Sequence, residues 1–171
     1  MGLITTDGPH GADIMACEWT HFVSYSPGLI AVCIGPGKAT VDNIRASKFF
    51  GVNLASGSQN VIASVAGSNS GKDTGKMAAL IELGHKFYTA KEIGVQMVEG
   101  ASLNVECRLV QEIALGDHIM FVGEALNVSV NPAESVVYHA GKYWALGAQI
   151  GKPAQNELER IGSVLKKHKK K

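Results

Sequence analysis

The sequence predicts a mainly β domain with peripheral helices, and its glycine content and hydrophobic patterning indicate a barrel. Twenty glycines in 171 residues imply many turns and close backbone approaches, which suit a barrel better than a helical bundle. Short apolar or alternating runs recur between turn residues, as expected for strands joined by hairpins. The chain is 46% hydrophobic and 18% charged, which predicts a folded chain, and its length fits a single domain over residues 1–171.

Two pairs of strands are predicted in the first 34 residues. Gly2–Thr6 reads as a strand, and extended structure resumes at Ala12–Ala16 after a turn rich in glycine and proline. The apolar runs Thr20–Tyr25 and Leu29–Ile34 are separated by Ser26-Pro27-Gly28, whose residue types favour a tight reversal.

A glycine-rich loop, Gly35-Pro36-Gly37-Lys38-Ala39-Thr40, follows the fourth strand. Thr40 is a good candidate for the N-cap of a short helix, and Val41 and Ile44 supply one apolar face. A helix start offers unpaired backbone N–H groups, and Lys38 adds a full positive charge, so the loop fits a small phosphate site. The alternative is an ordinary strand-to-helix connection with a solvated lysine.

The middle of the chain predicts a strand at Gly51–Ser56 and a helix opened by Ser58. The segment 66–76 resembles a P-loop, but neither of its two registers fits G-x-x-x-x-G-K-[ST], which excludes this kind of nucleotide site. Lys76–Leu83 predicts a short helix that stops at Gly84, and Phe87–Val98 is expected to be irregular.

The second half predicts a hairpin and a terminal helix. Leu103–Val110 alternates as a strand, and a turn at Leu115–His118 leads into the strand Ile119–Leu126. Gln155–Lys167 carries apolar residues at helical spacing, which predicts an amphipathic helix that packs on the barrel or on a second subunit. The basic tail that completes residues 155–171 is expected to be solvated.

Composition excludes several classes of function. The net charge of +1 argues against a general nucleic-acid binder. The three cysteines, Cys17, Cys33 and Cys107, are too few and too scattered for a disulfide framework or a zinc site, and the histidines lack metal-ligand spacing. No apolar run reaches the length of a membrane span and no signal peptide is recognisable, so a cytoplasmic protein is expected.

Several segments, in order along residues 3 to 147, resemble the flavin reductase-like, FMN-binding split-barrel family. The matching segments are MACEW (15–19), SYSPGLIAV (24–32), GPGKATVDNI (35–44), FGVNLAS with the later Gln59 (50–59), NVECR (104–108), GDHIMFVGE (116–124) and YHAGKY (138–143). The resemblance implies a Greek-key split β-barrel that binds FMN, usually as a homodimer.

The resemblance also implies a flavin reductase that transfers hydride from NADH or NADPH to the flavin, without choosing between the two donors. The alternative is a non-enzymatic FMN-binding electron carrier of the flavoredoxin type, which would be reduced by a partner redox protein. The flavin carries this chemistry, so no obligatory catalytic acid or base and no metal ligand are expected.

Residues near the flavin are implied by the same resemblance. These cofactor-binding candidates are Cys17, Glu18, Trp19, Thr20, Gly37, Lys38, Ala39, Thr40, Asn53, Leu54, Ala55, Lys76 and Tyr143. His139 is the candidate for positioning the nicotinamide, and its distance of four residues from Tyr143 predicts one shared strand face. The alternatives are a half-buried strand with Trp19 in the core and a tyrosine-rich strand in which His139 is only structural.

Overall fold

The computed structural model describes residues 1–169, which form eleven strands and four helices. The strands are β1 (Gly2–Thr6), β2 (Asp13–Cys17), β3 (Thr20–Tyr25), β4 (Gly28–Ile34), β5 (Phe49–Leu54), β6 (Phe87–Thr89), β7 (Gln96–Val98), β8 (Leu103–Leu115), β9 (His118–Val130), β10 (Val137–His139) and β11 (Lys142–Trp144). The helices are α1 (Ala39–Ser47), α2 (Asn60–Ser68), α3 (Lys76–Glu82) and α4 (Gln155–Lys167).

Seven of the strands form one antiparallel sheet in the order β2-β1-β5-β8-β9-β4-β3. The long β8–β9 hairpin lies at its centre and turns at Gly116, whose φ of +55° is readily adopted by glycine. Strands distant in sequence therefore lie side by side, because β8 pairs with β5 and β9 pairs with β4.

The two edges of this sheet meet around the link between β2 and β3. The Cys33 backbone N–H donates to the Trp19 carbonyl over 3.0 Å, and the Cys17 thiol lies 3.4 Å from the Cys33 carbonyl oxygen. A single buried cluster includes Met15 of β2, Val32 of β4 and Val105 of β8, so the sheet curls around one core. β2 and β4 do not form a ladder with each other, which leaves the barrel split at this point.

A second apolar cluster lies outside the sheet. Leu3 and Ile14, which alternate with inward-facing Ile4 and Met15, pack against Ile62 of α2 and Leu80 of α3. β2 is consequently buried on both faces, although it is an edge strand.

The structure corrects three local predictions. Lys38, not Thr40, is the N-cap of α1, because Thr40 turns its side chain inward toward Asp13. The N-cap of α2 is Gln59 and not Ser58. The segment Phe87–Val98 is not irregular throughout, since β6 and β7 pair at its two ends.

Helix α4 has the predicted bounds, but it buries none of its side chains. Leu158 and Leu165 are exposed, so the expected packing of this helix on the barrel is not found within the described chain. The last two residues of the predicted basic tail lie outside the described residues. Between residues 1 and 169, no helix is both long and apolar enough to cross a membrane.

The Asn53 side chain, on β5, makes hydrogen bonds to three other strands, β1, β7 and β8. Its Nδ2 donates to the Leu3 carbonyl over 2.8 Å, and its Oδ1 accepts from the Val98 N–H over 2.9 Å and from Asn104 Nδ2 over 2.7 Å. The side chain is fully buried, so loss of these bonds would leave several polar groups unpaired inside the protein.

We therefore expect Asn53→Ala to lower the free energy of unfolding by about 3 kcal/mol or more. The exposed Asn60→Ala variant serves as the control, and we expect a change within about 0.5 kcal/mol for it. Urea unfolding followed by circular dichroism measures both values. Equal stability of the two variants would contradict this account of Asn53.

Candidate functional site

Two adjoining pockets lie on the outer side of β2, between the start of α1 and helix α2. The charged pocket, of about 60 Å³, is bordered by Asp13, Met15, Ala16, Lys38, Ala39, Thr40, Ala66, Gly67, Asn69, Ser70, Gly71 and Lys76. The aromatic pocket, of about 280 Å³, is bordered by Met1, Ala16, Glu18, Ala63, Ser64, Gly67, Ser68, Tyr138 and Tyr143. Ala16 and Gly67 border both, so the two pockets form one groove.

The start of α1 forms one wall of the charged pocket. The Lys38 N–H donates to the Gly35 carbonyl over 3.2 Å, which closes a tight turn before the helix. Lys38 is extended (φ −80°, ψ 143°), its side chain is exposed, and the first helical turn follows directly. The exposed ammonium and the helix N-terminus both favour an anion here.

A buried ion pair forms the opposite wall. Lys76 Nζ lies 3.2 Å from Asp13 Oδ1, and both side chains are at most 3% exposed. Burial lowers the pKa of Lys76, and the negative charge of Asp13 partly offsets this effect. The Thr40 hydroxyl donates to Asp13 Oδ2 over a long 3.5 Å, which connects this pair to the first turn of α1.

The loop Asn69–Gly75 closes over the ion pair. Lys72 Nζ lies 3.0 Å from Asp42 Oδ2 of α1, and His10 Nε2 lies 2.9 Å from the same oxygen. Hydrogen bonds from His10 and Lys72 lower the pKa of Asp42. Gly71 approaches Asp13 so closely that a Cβ there would lie 2.5 Å from the carboxyl carbon.

Two tyrosines on the β10–β11 hairpin form one end of the aromatic pocket. Ala140 (φ +49°) and Gly141 (φ +74°) make a two-residue turn, so Tyr138 pairs with Tyr143 and their rings lie 5.2 Å apart. Burial raises the pKa of Tyr143.

This turn makes the prediction of a shared face for His139 and Tyr143 wrong. His139 pairs with Lys142, and in a strand neighbouring residues point to opposite faces, so His139 faces away from the side of Tyr138 and Tyr143. Its carbonyl accepts a hydrogen bond from Trp144 Nε1 over 3.2 Å. The residue that borders the pocket in its place is Tyr138.

The structure separates the other candidates. Glu18 borders the aromatic pocket, whereas the Cys17 side chain faces the barrel core and the Thr20 hydroxyl donates to the Cys17 carbonyl. Trp19 is half exposed and packs its ring 4.6 Å from that of His118, so it is not a core residue.

Of the remaining candidates, two lie at or next to the charged pocket and three lie apart from the groove. Gly37 precedes the charged pocket in the exposed turn, and Ala39 lines that pocket in the first turn of α1. Asn53, Leu54 and Ala55 belong to β5 and its end, and they border neither pocket.

Sequence reasoning missed Asp13 and Tyr138 as wall residues. An acidic residue inside an apolar strand was the available signal for Asp13, because a buried carboxylate needs a partner. Tyr138 could be recognised only from the turn at Ala140, since without that turn the segment reads as one continuous strand.

The groove fits a phosphate-bearing planar ligand. Two ammonium groups and a helix start meet at its narrow end, and a wider, partly aromatic space adjoins it. This combination suits an anionic group attached to a ring system, as in FMN. Across residues 1–169, no group of three histidine, cysteine or acidic side chains could hold a metal ion.

Comparisons with known proteins identify a matching family model and several relatives. A family model described as the flavin reductase like domain matches residues 1–147. An uncharacterized protein of Archaeoglobus fulgidus is 30% identical over 74% of this chain and 70% of its own length. The FMN reductase (NADH) RutF of Variovorax paradoxus is 24% identical over 86% of this chain and 79% of its own.

A flavoredoxin from Methanosarcina acetivorans has a similar structure, with a TM-score of 0.81 and 19% identity. The match covers 93% of this chain and 90% of the flavoredoxin. The predicted fold, a mainly β split barrel with peripheral helices, is thereby confirmed.

We expect Gly71→Ala to lower the free energy of unfolding by about 1–3 kcal/mol, because the new Cβ would collide with the buried Asp13 carboxyl group. Gly75→Ala is the matched control in the same loop, since a Cβ there would only touch the Ala78 side chain at 3.9 Å. Chemical unfolding of both variants tests this. A Gly71→Ala protein as stable as the control would show that the loop does not sit tightly on Asp13.

Proposed function

The chain belongs to the flavin reductase like domain family, and we propose that it is an FMN-binding flavin reductase that takes hydride from NADH or NADPH. The observation that carries this proposal is the groove itself, in which a positively charged narrow end adjoins a wider aromatic end. The FMN reductase name of the Variovorax relative supports the same activity.

The residues of the groove have separate tasks in this proposal. Lys38, Lys76 and the first turn of α1 would hold the phosphate. Ala16 on the outer face of β2 and Glu18 just after this strand would support the ring. When bound, the flavin supplies the hydride-accepting centre. The protein contributes position and exclusion of water, which is enough for hydride transfer between stacked rings.

Glu18 affects the electrostatics of the ring end. Its carboxylate borders the aromatic pocket and is exposed. A negative charge there disfavours extra negative charge on a reduced ring, so Glu18 would make a bound flavin a stronger electron donor.

The second candidate function is an FMN-binding electron carrier. The structural similarity to a flavoredoxin favours it, because that protein has the same fold across most of this chain. The two functions differ in the electron source, which is a nicotinamide for the reductase and a partner redox protein for the carrier.

An exposed apolar surface supports a homodimer. Phe22 and Tyr25 of β3 and Val128 of β9 border an almost wholly apolar depression of about 280 Å³, and Tyr25 is 99% exposed. A surface of this kind favours association with another protein surface.

The three cysteines are free thiols, which suits a reducing compartment and supports a cytoplasmic location.

The experiment that tests the enzyme is anaerobic reduction of the FMN-loaded protein by NADH and by NADPH, followed in a rapid-mixing spectrophotometer. We expect at least one nicotinamide to reduce the wild type. We also expect Tyr138→Ala to slow this reduction about tenfold, or about 1.4 kcal/mol, because Tyr138 borders the aromatic pocket in which the nicotinamide would meet the flavin ring.

His139→Ala is the matched comparison on the opposite face of the hairpin, and we expect its rate to stay within about twofold of the wild type. Slowing by His139→Ala alone would return the nicotinamide role to His139. A wild type that only dithionite reduces would favour the electron carrier.

The phosphate assignment predicts that Lys38→Ala weakens FMN binding but leaves riboflavin binding unchanged, because riboflavin lacks the charged group. One charge-assisted hydrogen bond is worth about 1.5–3 kcal/mol, so FMN affinity should fall about tenfold or more. Lys91→Ala, which removes another exposed lysine away from the groove, should bind both flavins as the wild type does. Fluorescence titration measures these affinities, and equal losses for FMN and riboflavin would contradict the assignment.

A further inference from the structure

We propose that Asp13 makes the charged pocket select a phosphate monoester that keeps one proton, by accepting a hydrogen bond from its P–OH group. This inference rests on the proposed binding of FMN, and it goes further by naming the protonation state in which the phosphate is held. It assigns Asp13 the role of a specificity-determining residue.

The Asp13 carboxylate has hydrogen-bonding capacity that the protein does not use. Oδ1 contacts Lys76 Nζ over 3.2 Å, but among the described residues it accepts no well-oriented hydrogen bond. Oδ2 accepts only the long bond from Thr40. A buried acceptor without a donor is costly, and this carboxylate borders the charged pocket, so a ligand that brings a donor would satisfy it.

A fully ionised phosphate cannot supply that donor. A phosphate dianion has only acceptor oxygens, and its charge would repel the Asp13 carboxylate at this buried site. One proton between them removes the repulsion. Since a singly protonated phosphate monoester, with a second pKa of about 6, is a weaker acid than a carboxylic acid, the proton belongs on the phosphate.

The charge of the pocket agrees with a singly charged phosphate. Lys38 and Lys76 supply two ammonium groups and Asp13 one carboxylate, which leaves a single positive charge. At the rim, Lys72 and His10 both contact Asp42. Asp73, in the same loop, is exposed, and the part of α2 that borders the pocket carries no charged side chain.

This arrangement discriminates between flavin cofactors. The phosphate of FMN is a monoester and can carry the required proton. The two phosphates of FAD are joined to each other and esterified, so neither offers a P–OH group near neutral pH. FAD would bring no donor to Asp13 Oδ1 and would place an anion against the carboxylate.

The decisive measurement is the phosphorus-31 NMR signal of FMN bound to the wild-type protein between pH 6 and pH 9. We expect the bound phosphate to stay in its singly protonated form at least one pH unit above the point at which free FMN loses that proton. The signal reports the proton on the phosphate itself, so a change in the protonation of Lys76 would not mimic it.

Variants extend the test to affinity. Wild-type affinity for FMN should fall as pH rises above about 6, by up to about tenfold per pH unit, because the complex keeps a proton that the free ligand loses. Asp13→Asn can donate as well as accept, so it should bind the dianion with little pH dependence and should prefer FMN over FAD less strongly. Asp73→Asn removes a nearby exposed carboxylate and should behave as the wild type does.

A wild-type complex whose phosphate titrates as in free FMN would overturn this proposal and leave FMN binding intact. An Asp13→Asn protein with the wild-type pH dependence and cofactor preference would overturn it as well. Absence of flavin binding would instead overturn the proposed function together with this inference. If circular dichroism shows that Asp13→Asn is unfolded, the wild-type phosphorus titration decides alone.

Discussion

The structure depends on β2 being packed on both of its faces. Met15 and Cys17 point into the barrel core, while Ile14 packs against the helices on the outside. An edge strand would ordinarily expose one face and one row of backbone groups. Here the helices cover the outer face and the link to β3 brings the opposite edge of the sheet alongside, so the groove has a rigid floor.

Because this floor is rigid, the opposite charges of Asp13 and Lys76 can be buried next to each other. Asp13 is the first residue of β2 and Lys76 the first residue of α3, so the ion pair connects the strand to the helices that cover it. A buried charge without a partner is costly, and the pair can persist because both members are held by packed elements. The same packing keeps the positive end of α1 pointed at the ion pair.

The sequence predicted much of this fold because several elements have strong local signals. The periodic spacing of apolar residues predicted α4 with the bounds that the structure shows, and alternation predicted the β8–β9 hairpin, although both strands extend further than expected. β6 and β7 have three residues each and gave no local signal. The Asn53 side chain holds the end of β7 by accepting a hydrogen bond from the Val98 N–H.

The groove was predicted only in part, for similar reasons. Lys38, Thr40 and Lys76 followed from the loop and the family resemblance, and all three border the charged pocket. Thr40 was predicted to cap the helix, but its hydroxyl turns toward Asp13 instead. Asp13 lies 27 residues earlier in the sequence, so no local pattern reveals this contact. The turn at Ala140 was equally hidden, since alanine seldom adopts a positive φ.

The order of strands in the sheet has a consequence for how the chain folds. The β8–β9 hairpin forms from neighbouring residues, but its outer partners, β5 and β4, lie far earlier in the sequence. Pairing β4 with β9 closes a loop of roughly 90 residues, which costs conformational entropy before any contact repays it. We infer that the hairpin forms early and serves as a template, and that the groove is completed only when the barrel closes.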